Sequence, residues 1–384
     1  MLALGLRVFV IIFFGDKALA NEWGIIFNNY YNSGIFGFRK VQEFIAPNLF
    51  MPPLYPLFLI LLKKINFFSN NFVLFVLYVQ LIISLFTIYG FSKILNLFFN
   101  KNISLVGTFV FTFFPLNIYS VSQISSITLN IFLLVFFLLN LFLFIKSKKK
   151  SNLFYFSTIS GLLILTRGEF LIFFFLALIY IYFYHKQIRD IFIIFLITLI
   201  TLSPYLVRNY LIFEHITLTK SFGYNLWKGN NKFSKPEGYE IIHSEDLNNR
   251  IKNLEKNNYY DIEIDKIYKL EAIDNIKNDP KKYFFLYLKK LFSFFVLDFN
   301  SSYPDYYNVI HIVPKVIFGL GSFIGAIYSF RIMNHITFFG FFYISYAFLF
   351  SAFFILPRYS LILLPIQIIL LCNLIDSFRL KRKN

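Results

Sequence analysis

Residues 72–95, FVLFVLYVQLIISLFTIYGFSKIL, carry a single charge, Lys93, along the whole run. A helix needs about 20 apolar residues to cross the hydrocarbon of a bilayer, and this run meets that length. Working outward from it, comparable runs recur near 2–14, 104–121, 127–145, 153–166, 169–184, 191–207, 308–330, 335–355 and 359–377. The expectation is an all-α integral membrane protein with about ten transmembrane helices.

Composition agrees. The chain of 384 residues is 58% hydrophobic and 22% aromatic, which few soluble domains match. Its net charge of +17 does not point to nucleic acid, because the clustered basic residues sit in short loops between apolar runs. Lys101, Lys146/Lys148/Lys149/Lys150, His185/Lys186/Arg189, Arg331 and Arg379/Lys381/Arg382/Lys383 fall on one side under a ten-span count. By the positive-inside rule that side is the cytoplasm, with both termini there. The opposite face receives Gly15–Asn71, the turn near Ser122–Ser126, Arg167–Gly168, the long segment from Arg208 to Asn308, and Leu356–Arg358. The chain thus divides into an N-terminal membrane part (1–207, with a first outer loop at 15–71), an extracytoplasmic cap (208–307) and a C-terminal membrane part (308–384). The first span has no small-residue cleavage site after it and reads as a retained anchor. There is no internal repeat.

The first outer loop is polar, Asn-rich and aromatic. From Lys17 to Tyr31, Leu19, Trp23, Ile26, Phe27 and Tyr30 recur at helical spacing, opposite Asn21, Glu22, Asn28 and Asn29. The spacing predicts an amphipathic interfacial helix with Asp16 as its N-cap. Pro53 to Ile65, short and ending in Lys63 and Lys64, predicts a second helix in the interface. In the long segment, SFGYNLWKGNNKFSKPEGYE (221–240) reads as a loop by its turn chemistry. Residues 245–278 read as one charged helix ended by Asp279–Pro280, and KKYFFLYLKKLFSFF (281–295) as a basic, aromatic helix in the headgroup layer. The segment is too poor in apolar alternation to predict a core of its own, so it reads as a partly helical cap.

The candidate chemistry gathers on the outer face. Arg167, Arg208 and Arg358 border apolar runs and are ordinary interface anchors when taken singly. Together with Asp16, Glu22, Lys63 and Lys64 they offer cations for a lipid-linked phosphate and a carboxylate to act as general base. That pairing suits glycosyl transfer from a polyprenyl-phosphate sugar, in which cations stabilise the departing phosphate. Asp16 and Glu22 stand six positions apart, about 240° around a continuous helix, so they would not share a face. Asp298 and Asp305, near Tyr303, Tyr306 and Tyr307, are able to touch a sugar but read by default as solvated. No P-loop or dinucleotide fingerprint is present. The five histidines lack ligand spacing and the single Cys372 lies in an apolar run, so no metal ligands are named.

GD…EW after the first span, MPPLYP (51–56), LTRGE (165–169), SPYLVRNY (203–210), GYNLWKGNN (223–231) and LPRYS (356–360) follow one another along nearly the whole chain. In this order the set resembles the GT-C membrane glycosyltransferases. More narrowly, it is similar to the protein mannosyltransferase and aminoarabinose transferase branch (glycosyltransferase family 39/83-like). The resemblance implies a GT-C-like fold and a polyprenyl-phosphate-linked sugar donor used on the outer face of the inner or plasma membrane, with inversion. An acid of the first outer loop would be the base, Asp16 first and Glu22 second. Arg208 and Arg358 would lie near the donor phosphate, with Lys63, Lys64 and Arg167 as further cations. Trp23, Tyr55, Asn225, Trp227, Asn230, Asn231 and Tyr359 would meet substrate. Two departures stand out. Met51 replaces a basic residue common before the two prolines, and QISSITLN from Gln123 lacks the acid common at the start of the fourth span. A divalent cation is left open. The acceptor is a cell-envelope glycan, lipid or protein. Two other readings compete: a transporter or flippase of lipid-linked sugars, and an envelope polysaccharide polymerase or ligase.

Overall fold

The computed structural model describes residues 1–41, 43–66, 71–302, 307–332 and 334–381. The first helices are α1 (Leu2–Phe14) and α2 (Glu22–Ser33), followed by a hairpin of β1 (Gly37–Val41) and β2 (Phe44–Pro47). Then come α3 (Leu54–Ile65), α4 (Phe72–Phe98), α5 (Lys101–Phe113), α6 (Pro115–Ser120), α7 (Ile127–Ser147), α8 (Lys150–Thr166), α9 (Phe170–His185) and α10 (Ile188–Phe213). The rest is α11 (Phe222–Asn230), α12 (Glu245–Lys252), α13 (Tyr260–Asn278), α14 (Pro280–Phe295), α15 (Val309–Ile332), α16 (Thr337–Ser351), α17 (Pro357–Ile362) and α18 (Leu364–Lys381). The protein is therefore nearly all helical. Among the described residues, α4, α7, α10 and α15 are long and apolar enough to cross a membrane, and Leu2–Phe14, Phe170–His185, Thr337–Ser351 and Leu364–Phe378 are shorter apolar helices.

Two compact units emerge, each with its own packing: residues 1–38 with 52–218, and residues 39–51 with 219–384. In the first, α7 is the hub, packed on α4 and α8, while α10 packs on α8. The most apolar window of α7 is 78% buried, against 33% for α4 and 22% for α10, as expected of a helix that is hydrophobic all round. Close approach is set by small residues. A Cβ on Gly161 of α8 would lie 2.6 Å from Thr201 Cβ of α10, and Thr198 Oγ1 of α10 donates to Ser157 O of α8 at 3.0 Å.

The expected span at 104–121 is two helices, because Pro115 has no N–H to offer Phe111 O and cannot continue α5. Side chains take over the freed carbonyls. Asn117 Nδ2 donates to Phe111 O at 3.1 Å, and Arg7 Nη2 donates to Thr112 O at 3.3 Å. Arg7 is fully buried in α1, where Nε also reaches Ser84 Oγ (2.8 Å) and Nη1 reaches Ala3 O (3.1 Å). Its position at the carbonyl end of α5 complements that helix's negative pole.

In the second unit α15 packs on α16 and α18, and α14 packs on α16 and α15. The expected run at 359–377 is likewise interrupted, α17 ending at Ile362 and Leu363 separating it from α18. The cap differs from expectation in three ways. GYNLWKGNN is mostly helical rather than a loop: Ser221 supplies no side-chain cap, but Asp265 of α13 accepts from Tyr224 N at 3.1 Å and from Gly223 N. Residues 245–278 form two helices, since α12 ends at Lys252, capped by Asn253, and α13 begins at Tyr260. The cap also buries a cluster, completed by Ala46 of β2: Trp227, Leu247, Tyr260, Ile264, Tyr268 and Ala272. Trp227 lies 4.7 Å from Tyr268, ring centre to ring centre. The apolar residues are spread over four separate elements, so no single stretch displayed the pattern.

Candidate functional site

The first loop does not begin with a helix at Lys17. Asn21 caps α2 by accepting from Gly24 N at 3.1 Å, so Glu22 is the first helical residue. Asp16 is thereby released from the capping role expected of it. Its N–H donates to Ser122 O (3.0 Å), and its Oδ2 accepts from Ile124 N (2.7 Å). The same turn between α6 and α7 is held twice more: Gln123 Nε2 donates to Phe14 O (3.1 Å) and Asn21 Nδ2 to Ile124 O (2.5 Å). Asp16 is half-buried, and its Oδ1 has no hydrogen bond among the described residues. One oxygen is anchored and the other is open.

Beneath it lies a buried polar chain that sequence reasoning missed. Tyr55, 1% exposed, donates to Gln80 Oε1 at 2.8 Å, and Gln80 Nε2 donates to Val121 O (3.2 Å) and Gln123 O (2.9 Å). Ser125 N–H bonds to the Tyr55 hydroxyl. Burial, and after it the Asp16 charge, pushes the Tyr55 phenol well up, so it remains a donor at neutral pH. Trp23 packs edge-on against Tyr55 at 5.4 Å. Gln80, one of few amides in a long apolar run, was the available signal for this chain. Trp23 and Tyr55 are thus buried supports rather than exposed contacts.

The candidate phosphate-binding cations of the first unit fall into three groups. Lys63 and Lys64 are exposed in the last turn of α3, and Lys63 Nζ lies 5.2 Å from the Phe72 ring centre. Arg167 pairs with Glu169. Arg208 donates to Asn209 Oδ1 (2.7 Å) and Phe36 O (3.5 Å), among the rings of Phe36, Tyr205 and Phe213. Glu22 makes no hydrogen bond or ion pair among the described residues and sits where the α2 dipole favours a carboxylate.

In the second unit the amides of the Asn-rich motif are used within the fold. Asn230 Nδ2 donates to Leu226 O (2.8 Å) and Ala352 O (2.9 Å), and its Oδ1 accepts from Lys290 Nζ at 3.0 Å. Asn231 Nδ2 donates to Tyr239 O (2.8 Å), while its Oδ1 accepts from Phe233 N (2.9 Å). Trp227 is in the cap core, Tyr359 is packed on Phe350 and Phe354, and Asn225 is half-buried on α11. Arg358 is exposed, with no hydrogen bond or ion pair among the described residues.

Other charged groups were not legible in sequence. Arg39 Nε pairs with Asp261 Oδ1 at 3.1 Å, and Asp261 Oδ2 accepts from Leu49 N at 3.0 Å. Burial pushes Asp261 and Asp265 above the usual range; Arg39 and backbone N–H groups oppose this. Lys290 is fully buried, and burial pushes its ammonium down to about 7. Asp298 is 7% exposed, not solvated, while Asp305, Tyr303 and Tyr306 lie outside the described residues. Among the described residues no three His, Cys, Asp or Glu side chains gather as a metal site. Comparison of the chain with protein-family models, with curated proteins and with solved structures yields no match.

Proposed function

We propose that this chain is a multi-span membrane glycosyltransferase that moves a sugar from a polyprenyl phosphate to a cell-envelope acceptor on the outer face of the inner or plasma membrane, with inversion. The ten spans of this reading are α1, α4, α5, α7, α8, α9, α10, α15, α16 and α18, with α3 and α14 in the interface. Asp16 Oδ1 takes the proton of the acceptor hydroxyl as that oxygen bonds to the anomeric carbon. The bond from that carbon to the phosphate oxygen breaks, and the phosphate leaves with its electron pair. Lys63 and Lys64, exposed at the end of α3 and without an ion pair among the described residues, are cations of the same unit available to it.

The observation that carries the proposal is the asymmetric anchoring of Asp16. Its Oδ2 is held at 2.7 Å by Ile124 N–H while Oδ1 stays open, the arrangement a general base requires. Arg7, the buried charge of the first helix, is accounted for by the Pro115 break and lends no weight to a transporter.

The test is transfer of radiolabelled sugar from polyprenyl-phosphate sugars to envelope fractions. Asp16→Asn should lower the rate at least a hundredfold, within the usual range for loss of a general base, with membrane insertion intact. Glu22→Gln should retain activity. Full activity in both variants would remove the proposed chemistry.

A further inference from the structure

The second unit contains a notch with room for one water-sized group, lined by the polar Glu237, Ser293, Asp298, Ser301 and Lys315 and the apolar Ile355 and Pro357. Its lining is unusual in sign. Lys315 is 8% exposed and has no hydrogen bond or ion pair among the described residues. Its ammonium borders the notch beside the charge of Asp298, so an acceptor entering the notch would complete its hydrogen bonding. Glu237 is held in place from one side: it accepts from Ser301 Oγ (2.5 Å), Ser302 N (2.9 Å) and Ser302 Oγ. Asp298 Oδ1 accepts from Asn300 N at 3.0 Å.

The lining selects among ligands by charge. A metal cation is disfavoured by the ammonium, and an anion by the two carboxylates. A neutral hydroxyl is matched on both sides, since it donates to a carboxylate oxygen and accepts from Lys315 Nζ. Pro357 borders the notch, and the next residue is the exposed Arg358. From these observations we infer that the notch receives one hydroxyl of a sugar, with Lys315 donating to its oxygen and Asp298 or Glu237 accepting its proton. The inference rests on the glycosyltransferase reading and adds a specificity determinant to it. The sugar belongs either to the lipid-phosphate donor or to the acceptor glycan.

The test uses purified full-length chain in detergent. Binding is measured for citronellyl phosphate, for its mannosyl, glucosyl, galactosyl and arabinosyl esters, and for the corresponding methyl glycosides. One sugar should bind about tenfold more tightly than the matching probe without it, as expected of a hydrogen bond to a charged group. A gain among the citronellyl esters assigns the notch to the donor; a gain among the methyl glycosides alone assigns it to the acceptor. Lys315→Met should abolish the gain, the double variant Asp298→Asn/Glu237→Gln, which removes both charged acceptors, should cut it severalfold, and both should leave citronellyl phosphate binding unchanged. Asp298→Asn keeps an acceptor for Asn300 N–H and so guards against misfolding as the cause. An equal gain in both variants, or no gain for any sugar in the parent protein, overturns the notch. Loss of Asp16-dependent transfer with the sugar gain intact would instead count against the glycosyltransferase reading.

Discussion

The Arg7 cluster allows a quantitative test of why an arginine is buried in the first helix. In Arg7→Met the Ser84 hydroxyl can turn to a carbonyl of its own helix, and Ala3 O lies near the start of α1, so neither loss is large. Thr112 O remains, a buried carbonyl left without its donor, at a cost of about 1–3 kcal/mol. Removal of a buried guanidinium offsets part of this, and the net destabilisation should be about 1–2 kcal/mol. Pro115→Ala supplies an N–H for Phe111 O and removes the ring that prevents the turn from closing, so Leu116 N–H can reach Thr112 O. In that background Arg7→Met should cost at least about 1 kcal/mol less, a coupling within the usual range for residues sharing one network. The assay is denaturant unfolding in micelles, followed by the fluorescence of Trp23 in a Trp227→Phe background, as a double-mutant cycle. Equal costs in both backgrounds would refute the argument that Arg7 repairs the proline break.

Three further outcomes are expected. Asp16→Ala orphans Ile124 N–H and should destabilise the protein by about 1–3 kcal/mol, whereas Asp16→Asn keeps an acceptor there and should cost less than about 1 kcal/mol, both read by the same unfolding assay. Asp265→Ala should expose the α11 backbone to faster amide exchange at Gly223 and Tyr224, and Asp265→Asn should restore protection at one of them. Asp261 and Asp265 have folded-state values raised by burial above the ordinary 3.8, so their contribution to stability is full below 3.8 and is lost as pH rises through the raised values. Cap stability followed by Trp227 fluorescence in a Trp23→Phe background should therefore gain from these two groups on acidification, and the gain should shrink in Asp261→Asn.

The apolar runs were readable because helix length and hydropathy are local properties. Phe72–Phe98, Ile127–Ser147, Ile188–Phe213 and Val309–Ile332 needed no tertiary information to be found. The hairpin of β1 and β2 was not anticipated, because its strands are short and lie in a polar loop. Asp16 was singled out for its place after the first helix, yet the capping role expected of it falls to Asn21. A cap and a cross-chain anchor are both an aspartate before a helical pattern, and only the position of Ile124, 108 residues away, separates them. The Asn-rich GYNLWKGNN suggested ligand contacts, but Asn230 and Asn231 satisfy backbone groups of residues 226, 352, 233 and 239 instead.

What the sequence determined by itself is the solvent each segment tolerates: long apolar runs form helices, since a helix is the way a single segment in hydrocarbon satisfies its backbone polar groups by itself. What only the tertiary structure decided is the partner of each polar side chain among those runs. Lys315, Arg7 and Gln80 look alike in sequence as isolated polar residues in apolar surroundings, and Lys290 looks like its neighbour Lys289. They separate once the chain is folded, because Arg7, Gln80 and Lys290 find acceptors in the protein and Lys315 faces a notch. Hydrogen bonds act over about 3 Å between residues far apart in the chain, so their pairing is a property of packing.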